Sequence, residues 1–174
     1  REFEILPPGG LTERTRAMLK VQDGCVNFCT YCIIPYTRGP VRSAPLELAV
    51  DQAKQLAAEG YREITLTGIE IASWGVDLPG KPKLETLITA VCQAVPQVRI
   101  RLGSLEPGKV LPEVLKVMAE SENRICHFLH MPLQNGSDVP SAGQCPARLS
   151  KVFPTCVPTS IYLCNPAAIL SLPV

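Results

Sequence analysis

The stretch Thr15–Ser43, TRAMLKVQDGCVNFCTYCIIPYTRGPVRS, decides how the rest of the chain is read. It opens on a short apolar segment, Ala17–Gln22, consistent with a strand, and runs directly into a loop with three cysteines. Downstream, Pro45–Glu59 places Leu46, Ala49, Val50, Ala53, Leu56 and Ala57 at helical spacing. Pro45 and Glu47 suit its first turn, and Gly60 suits the position just past its last. Ile64–Thr67 is a second strand ending at Gly68, and Leu84–Val95 repeats the helical pattern. Val98–Leu102 is a third strand, Pro112–Glu120 a third helix and Ile125–Met131 a fourth strand. Strand and helix alternate throughout, which implies parallel strands joined by helical crossovers: an α/β fold, a barrel or part of one. In such folds chemistry gathers on the loops after the strands' carboxyl ends.

The cysteines, Cys25, Cys29 and Cys32, are spaced C-x-x-x-C-x-x-C immediately after the first strand. Thiolates hold iron–sulfur clusters, and close spacing lets one loop wrap several irons of a cube. Three cysteines for four irons leave one iron open. S-adenosylmethionine can chelate such an iron through its amino and carboxylate groups, and an electron from the cluster would then cleave the sulfonium to a 5′-deoxyadenosyl radical. Tyr31, just before the third cysteine, is placed to pack near the cofactor's adenine. The competing readings are a zinc site, three unconnected thiols or a disulfide framework. Structural zinc usually wants four ligands, so a fourth would have to come from His127, His130 or a distant cysteine. A disulfide framework lacks an export signal to go with it. Cys92 and Cys126, within a helix and a strand, suit small buried hydrophobes.

Bulk properties narrow the field. With 174 residues and 46% hydrophobic composition the chain can bury a core, and its net charge of +1 points neither to nucleic acid nor to an anionic membrane. No apolar run approaches the ~20 residues of a membrane span, and Arg1–Pro8 has no signal-peptide core, so a cytoplasmic location is expected. Composition changes near Asp138: all 16 acidic residues lie at or before it, and the 36 residues after it hold 6 of the 17 prolines and 3 of the 8 cysteines. Prolines at 140, 146, 154, 158, 166 and 173 interrupt helix or central strand. An irregular tail over 139–174 is therefore expected, with a composition that suggests translation out of frame or a damaged gene.

The run Thr15–Ser43 resembles the start of the radical S-adenosylmethionine domain of tRNA methylthiotransferases, as do Tyr61–Gly75 (YREITLTGIEIASWG), Arg99–Pro107 (RIRLGSLEP) and His127–Ser137 (HFLHMPLQNGS). Within that family LTGIEIASWG resembles the branch acting on N6-threonylcarbamoyladenosine beside the anticodon. The resemblance implies a partial (β/α)6 barrel, a 4Fe–4S cluster, and insertion of a methylthio group at adenosine C2 with S-adenosylmethionine as both radical source and methyl donor. It also implies a tRNA anticodon loop as partner, where unpaired bases can be presented to a pocket, and a reductant protein such as a flavodoxin or ferredoxin. By comparison with the family, residues 1–13 are a linker remnant and 14–138 are about four of six β/α units. On this view the chain is a truncated piece, the alternative being a catalytically inactive iron–sulfur-binding remnant. Gly68 and Glu70 sit where radical enzymes place a motif for the methionine amino group, although Glu70 equally suits a solvated loop carboxylate. Ser104 and Glu106 after the third strand, and Gln134 and Ser137 after the fourth, are candidates for ribose or substrate contact, as against ordinary solvated loop residues. Arg42 is a candidate for a carboxylate or RNA phosphate.

Overall fold

The computed structural model describes residues 2–6, 15–29, 31–106, 109, 112–132 and 160–162. In chain order the elements are β1 (Arg16–Lys20), β2 (Gln22–Asp23), α1 (Ile34–Thr37), β3 (Arg42–Ser43), α2 (Leu46–Ala58), β4 (Glu63–Thr67), a 3-10 turn (Ile71–Ser73), α3 (Leu84–Ala94), β5 (Arg99–Leu102), α4 (Pro112–Ala119), β6 (His130–Pro132) and β7 (Ser160–Tyr162). Strands β1, β4 and β5 form a parallel sheet in that order. Its register aligns Ala17 with Ile64 and Ile100, and Leu19 with Leu66 and Leu102. These two rows are buried, as are Ala49, Ala53 and Leu56 of α2 and Leu87, Ile88 and Val91 of α3, and all of them belong to one hydrophobic core. The alternation of each strand and the helical period of α2 and α3 thus meet on one face of the sheet.

The expected segments need three corrections. Pro45 caps α2 from outside, with ψ near 146°, instead of lying in its first turn. The proposed strand Ala17–Gln22 breaks at Val21. The Val21 amide donates to the Thr67 carbonyl, ending the parallel ladder, and its own carbonyl accepts from Ala44. The chain so changes partners, and β2 pairs antiparallel with β3. The proposed strand Ile125–Met131 is also discontinuous. Ile125 and His130 make single parallel bridges to Ile100 and Ser104, but between them the Phe128 amide folds back onto the Cys126 carbonyl at 2.7 Å. That tight turn uses backbone groups that a continuous ladder would need. The tail expected over 139–174 lies outside the described residues apart from β7, which pairs antiparallel with β6. Among the described residues no helix is long and apolar enough to cross a membrane.

The hairpin that carries the cysteines is closed at its base by a buried acid. Asp23 is 3% exposed. Its carboxylate accepts from Lys20 Nζ at 3.0 Å, from Arg38 Nε and Nη2 at 3.0 Å each, and from the Gly24 amide at 2.7 Å, with Arg42 Nη2 at 3.3 Å. Gly24 takes φ +74°, and a Cβ there would stand 1.9 Å from the Pro40 carbonyl oxygen, so the two arms of the hairpin touch where only glycine fits. The Cys25 amide donates to Gly39 across the same gap at 3.0 Å. Burial alone would raise the Asp23 pKa, but the bonds from Lys20, Gly24 and Arg38 and the charge of Lys20 prevail and hold it at about 2.

Leu66→Ala should cost about 3 kcal/mol, because its fully buried site cannot collapse around the cavity. Met18→Ala on the opposite face of the sheet, 67% exposed, should stay within about 0.5 kcal/mol. Urea unfolding midpoints at constant slope distinguish the two.

Asp23 also makes a pH prediction. Its folded pKa lies below the ordinary 3.8, so its contribution is fully present above 3.8 and is lost as pH falls toward 2. The loss should be roughly 2 kcal/mol. Asp23→Asn should be destabilised near neutral pH, and the gap to the unsubstituted chain should shrink over that acid window.

Candidate metal centre

Cys25, Cys29 and Cys32 are all free thiols, partly exposed, on the loop between β2 and α1. The Cys32 amide donates to the Cys29 carbonyl at 2.9 Å, a turn that brings the second and third cysteines onto one bend. Phe28 takes φ +48°, a left-handed residue immediately before Cys29. Among the described residues no three His, Cys, Asp or Glu side chains converge closely enough to hold a single ion. Three free thiols thus stand on one short loop clamped at its base.

The loops after β4 and β5 come to the same end of the sheet. Glu70 is not a solvated carboxylate: it is 7% exposed and caps the 3-10 turn through the Ala72 amide at 3.1 Å. It also accepts from Ser73 Oγ at 2.5 Å and from Lys109 Nζ at 2.9 Å. Its acceptor oxygens are thus met by groups of this chain, including one ammonium. Glu106 lies 3.4 Å from the same ammonium and accepts from Asn27 Nδ2 at 2.9 Å. Burial acts against the charged form of Lys109, but Glu70 and Glu106 outweigh it and raise its pKa.

The other sequence candidates separate. Gly68 packs beneath Gln22: a Cβ there would stand 2.7 Å from Gln22 Oε1, so the missing side chain makes room for β2. Ser104 Oγ is 2.9 Å from His130 Nδ1. Arg42 is turned inward to Asp23 and to the carbonyls of Arg38 and Pro40. Tyr31 is 57% exposed beside Cys32. Gln134 and Ser137 lie outside the described residues. Sequence reasoning overlooked Asn27, Gln22 and Lys109. Asn27 stands inside the cysteine motif and Lys109 in the loop after the third strand, and that shared strand-end placement was the available signal.

At the opposite end of the strands, Glu63 joins Arg16 Nε at 2.5 Å and Arg101 Nε at 2.7 Å, and Arg101 lies 4.9 Å from the Phe128 ring centroid. Burial pushes the Glu63 pKa up, but Arg101 and Arg16 more than reverse this and lower it. Cys126 donates to Glu63 at 3.6 Å, and burial together with that carboxylate pushes its thiol pKa up.

A family model described as the Radical SAM superfamily matches residues 19–149. The chain is 41% identical over 138 residues to the threonylcarbamoyladenosine tRNA methylthiotransferase MtaB of Bacillus subtilis, covering 79% of this chain and 30% of that protein. It is 39% identical over 127 residues to the protein of the same name from Rickettsia prowazekii, covering 72% and 30%. It is 43% identical over 123 residues to the tRNA-2-methylthio-N(6)-dimethylallyladenosine synthase of Carboxydothermus hydrogenoformans, covering 71% and 28%. These relatives bear out the family resemblance read from the motifs, and identity does not separate their two branches. The chain spans less than a third of their length. The matched region takes in the cysteine loop and the loops after β4 and β5, and the chain belongs to the Radical SAM superfamily.

Proposed function

We propose that this chain carries the cluster- and S-adenosylmethionine-binding part of a tRNA methylthiotransferase, one that places a methylthio group on C2 of N6-threonylcarbamoyladenosine next to the anticodon. The observation that carries the reading is the clamped loop presenting Cys25, Cys29 and Cys32 at the carboxyl ends of parallel strands. Those three residues would hold a 4Fe–4S cluster. When bound, such a cluster supplies the electron that cleaves S-adenosylmethionine. The protein's own part is to hold and orient. Tyr31 offers an exposed ring beside Cys32 for an adenine, and Glu70 and Glu106 offer carboxylates at the same end of the sheet. Gly68, Ser104, Gln134 and Ser137 complete the cofactor-binding set of this reading, with Gly68 acting through backbone packing.

The same reading takes residues 14–138 as about four β/α units of a six-unit barrel, preceded by a linker and followed by an irregular segment over 139–174. The threonylcarbamoyladenosine branch is favoured by the LTGIEIASWG motif. The reductant would be a flavodoxin- or ferredoxin-type protein, and the setting the cytoplasm. An RNA partner is supported by the rings beside the cysteines. Phe28 is 55% and Tyr36 74% exposed, packed edge to face at 5.7 Å. Exposed rings suit stacking by unpaired bases.

Anaerobic reconstitution of the full chain with iron and sulfide should load about four irons per chain. Cys25→Ala, Cys29→Ala and Cys32→Ala should each abolish the visible charge-transfer absorption, while Cys92→Ala keeps it. Stoichiometric zinc without sulfide would sink the cluster assignment.

For RNA, Tyr36→Ala should weaken binding of an anticodon stem-loop by about 1 kcal/mol or more, as loss of one stacked base does. Fluorescence anisotropy at fixed salt reads this out. Equal affinity of both proteins would count against the aromatic surface as an RNA contact.

A further inference from the structure

A run of hydrogen bonds passes through all three strand-end loops and meets the cysteine loop on either side of Cys25, the backbone from Gly24 to Asn27 completing the ring. From Gly24, its carbonyl accepts from Gln22 Nε2 at 2.6 Å. Gln22 Oε1 accepts from the Glu70 amide at 2.8 Å. The Glu70 carboxylate accepts from Lys109 Nζ at 2.9 Å, and the same ammonium donates to Asn27 Oδ1 at 3.0 Å. Asn27 closes a second link by donating to Glu106 at 2.9 Å. Cys25 lies between the two ends of this ring, Gly24 and Asn27. Lys109 is itself held, because its amide donates to the Glu106 carbonyl at 2.9 Å and its ammonium reaches Ser73 Oγ at 3.3 Å.

We propose that Lys109 is a positioning residue for the cluster, fixing the Cys25 arm of the loop through Asn27 and keeping a positive charge beside it; this rests on the cluster reading above. An ammonium has three donors and no acceptor, so it can join two carboxylates and an amide oxygen at once, which no neutral side chain at 109 could do. A partly buried ammonium between carboxylates is charge-assisted on each contact and holds its geometry better than a neutral pair. Two consequences separate holding from charge. Losing either Asn27 or Lys109 frees the Cys25 arm, whereas only losing Lys109 removes the charge and leaves Glu70 and Glu106 facing the loop without it.

The test uses the full chain and the variants Lys109→Met, Lys109→Arg and Asn27→Ala. In the metal-free protein, alkylation by iodoacetamide is followed cysteine by cysteine by mass spectrometry. Cys25 should react about fivefold faster in Asn27→Ala and Lys109→Met, the loss expected for one hydrogen bond, with Cys32 little changed. In the reconstituted protein the reduction potential should move to a more negative value in Lys109→Met and stay near the unsubstituted value in Lys109→Arg and Asn27→Ala. Unchanged Cys25 reactivity in Asn27→Ala, or a shift in Asn27→Ala matching that of Lys109→Met, overturns the proposal. Should Lys109→Met fail to fold by circular dichroism, the Asn27→Ala reactivity and the Lys109→Arg potential decide. If the unsubstituted chain binds zinc and no sulfide, the cluster reading fails on its own, and the alkylation result still reports whether the ring holds the loop.

Discussion

A carboxylate removed from water must be compensated, and Asp23 governs this structure because its compensation comes from three separate places. Lys20 ends β1, Arg38 follows α1 and Arg42 opens β3. Satisfying one buried charge therefore draws the strand, the far side of the cysteine loop and the returning strand to a single point. Removing one partner of such a cluster leaves others buried without a counter-charge, which is why single losses are costly even where the net stabilisation of the whole is modest. The Gly24–Pro40 contact and the Cys25–Gly39 bond follow from that closure. The cysteines then project from a hairpin whose ends cannot separate.

The rest of the site hangs on a second anchoring layer. The Ser43 amide and hydroxyl both donate to the Asp77 carboxylate, at 3.0 and 2.6 Å, and Trp74 donates to the Ala44 carbonyl at 2.9 Å. Gly75 approaches Pro82 so closely that a Cβ would lie 1.9 Å from its carbonyl oxygen. The loop after β4 is thereby fastened to β3, and Glu70 is delivered to Lys109 from a rigid frame. Chemistry-bearing loops are usually the mobile parts of a fold. Here the loops after β1, β4 and β5 are bonded to one another through Gln22, Asn27, Glu70, Glu106 and Lys109, which suits a site that must keep several ligands in register.

Elements governed by one period were legible in the sequence. The apolar stripes of α2 and α3 and the alternation in Ile64–Thr67 and Val98–Leu102 predicted the sheet and its helical cover, because burial of those side chains decides both. Val21 was misread because it is as apolar as its neighbours, and what ends the strand is where its amide and carbonyl find partners. The Cys126–Phe128 turn was hidden for the same reason, in a run apolar enough to pass for a strand. The spacing of the three cysteines predicted that they share one loop after the first strand, and they do. Glu70 was left between a solvated and a functional role because nothing in its own neighbourhood encodes Lys109, 39 residues away. Polar rings assembled from separate loops carry no periodicity, so Asn27, Gln22 and Lys109 became visible only once the strands set the loops side by side.

The face of the sheet turned away from the core bears on the architecture as well. Parallel sheets with helices on both sides need apolar residues on both faces. In this sheet the second face carries Arg16, Glu63 and Arg99 in one aligned row, Met18, Thr65 and Arg101 in the next, and Lys20 with Thr67 in the third. Arg16, Met18 and Arg99 are exposed, and Glu63 is already committed to Arg16 and Arg101. A second apolar helix layer would take exposed Arg99 and the Arg16–Glu63–Arg101 group out of water, a desolvation cost that Met18, alone apolar on that face, could not offset. Among the described residues, α2 and α3 lie on the apolar face, so the two faces of the strands that lead to the cysteine loop are unlike, one packed into the core and the other lined with charge.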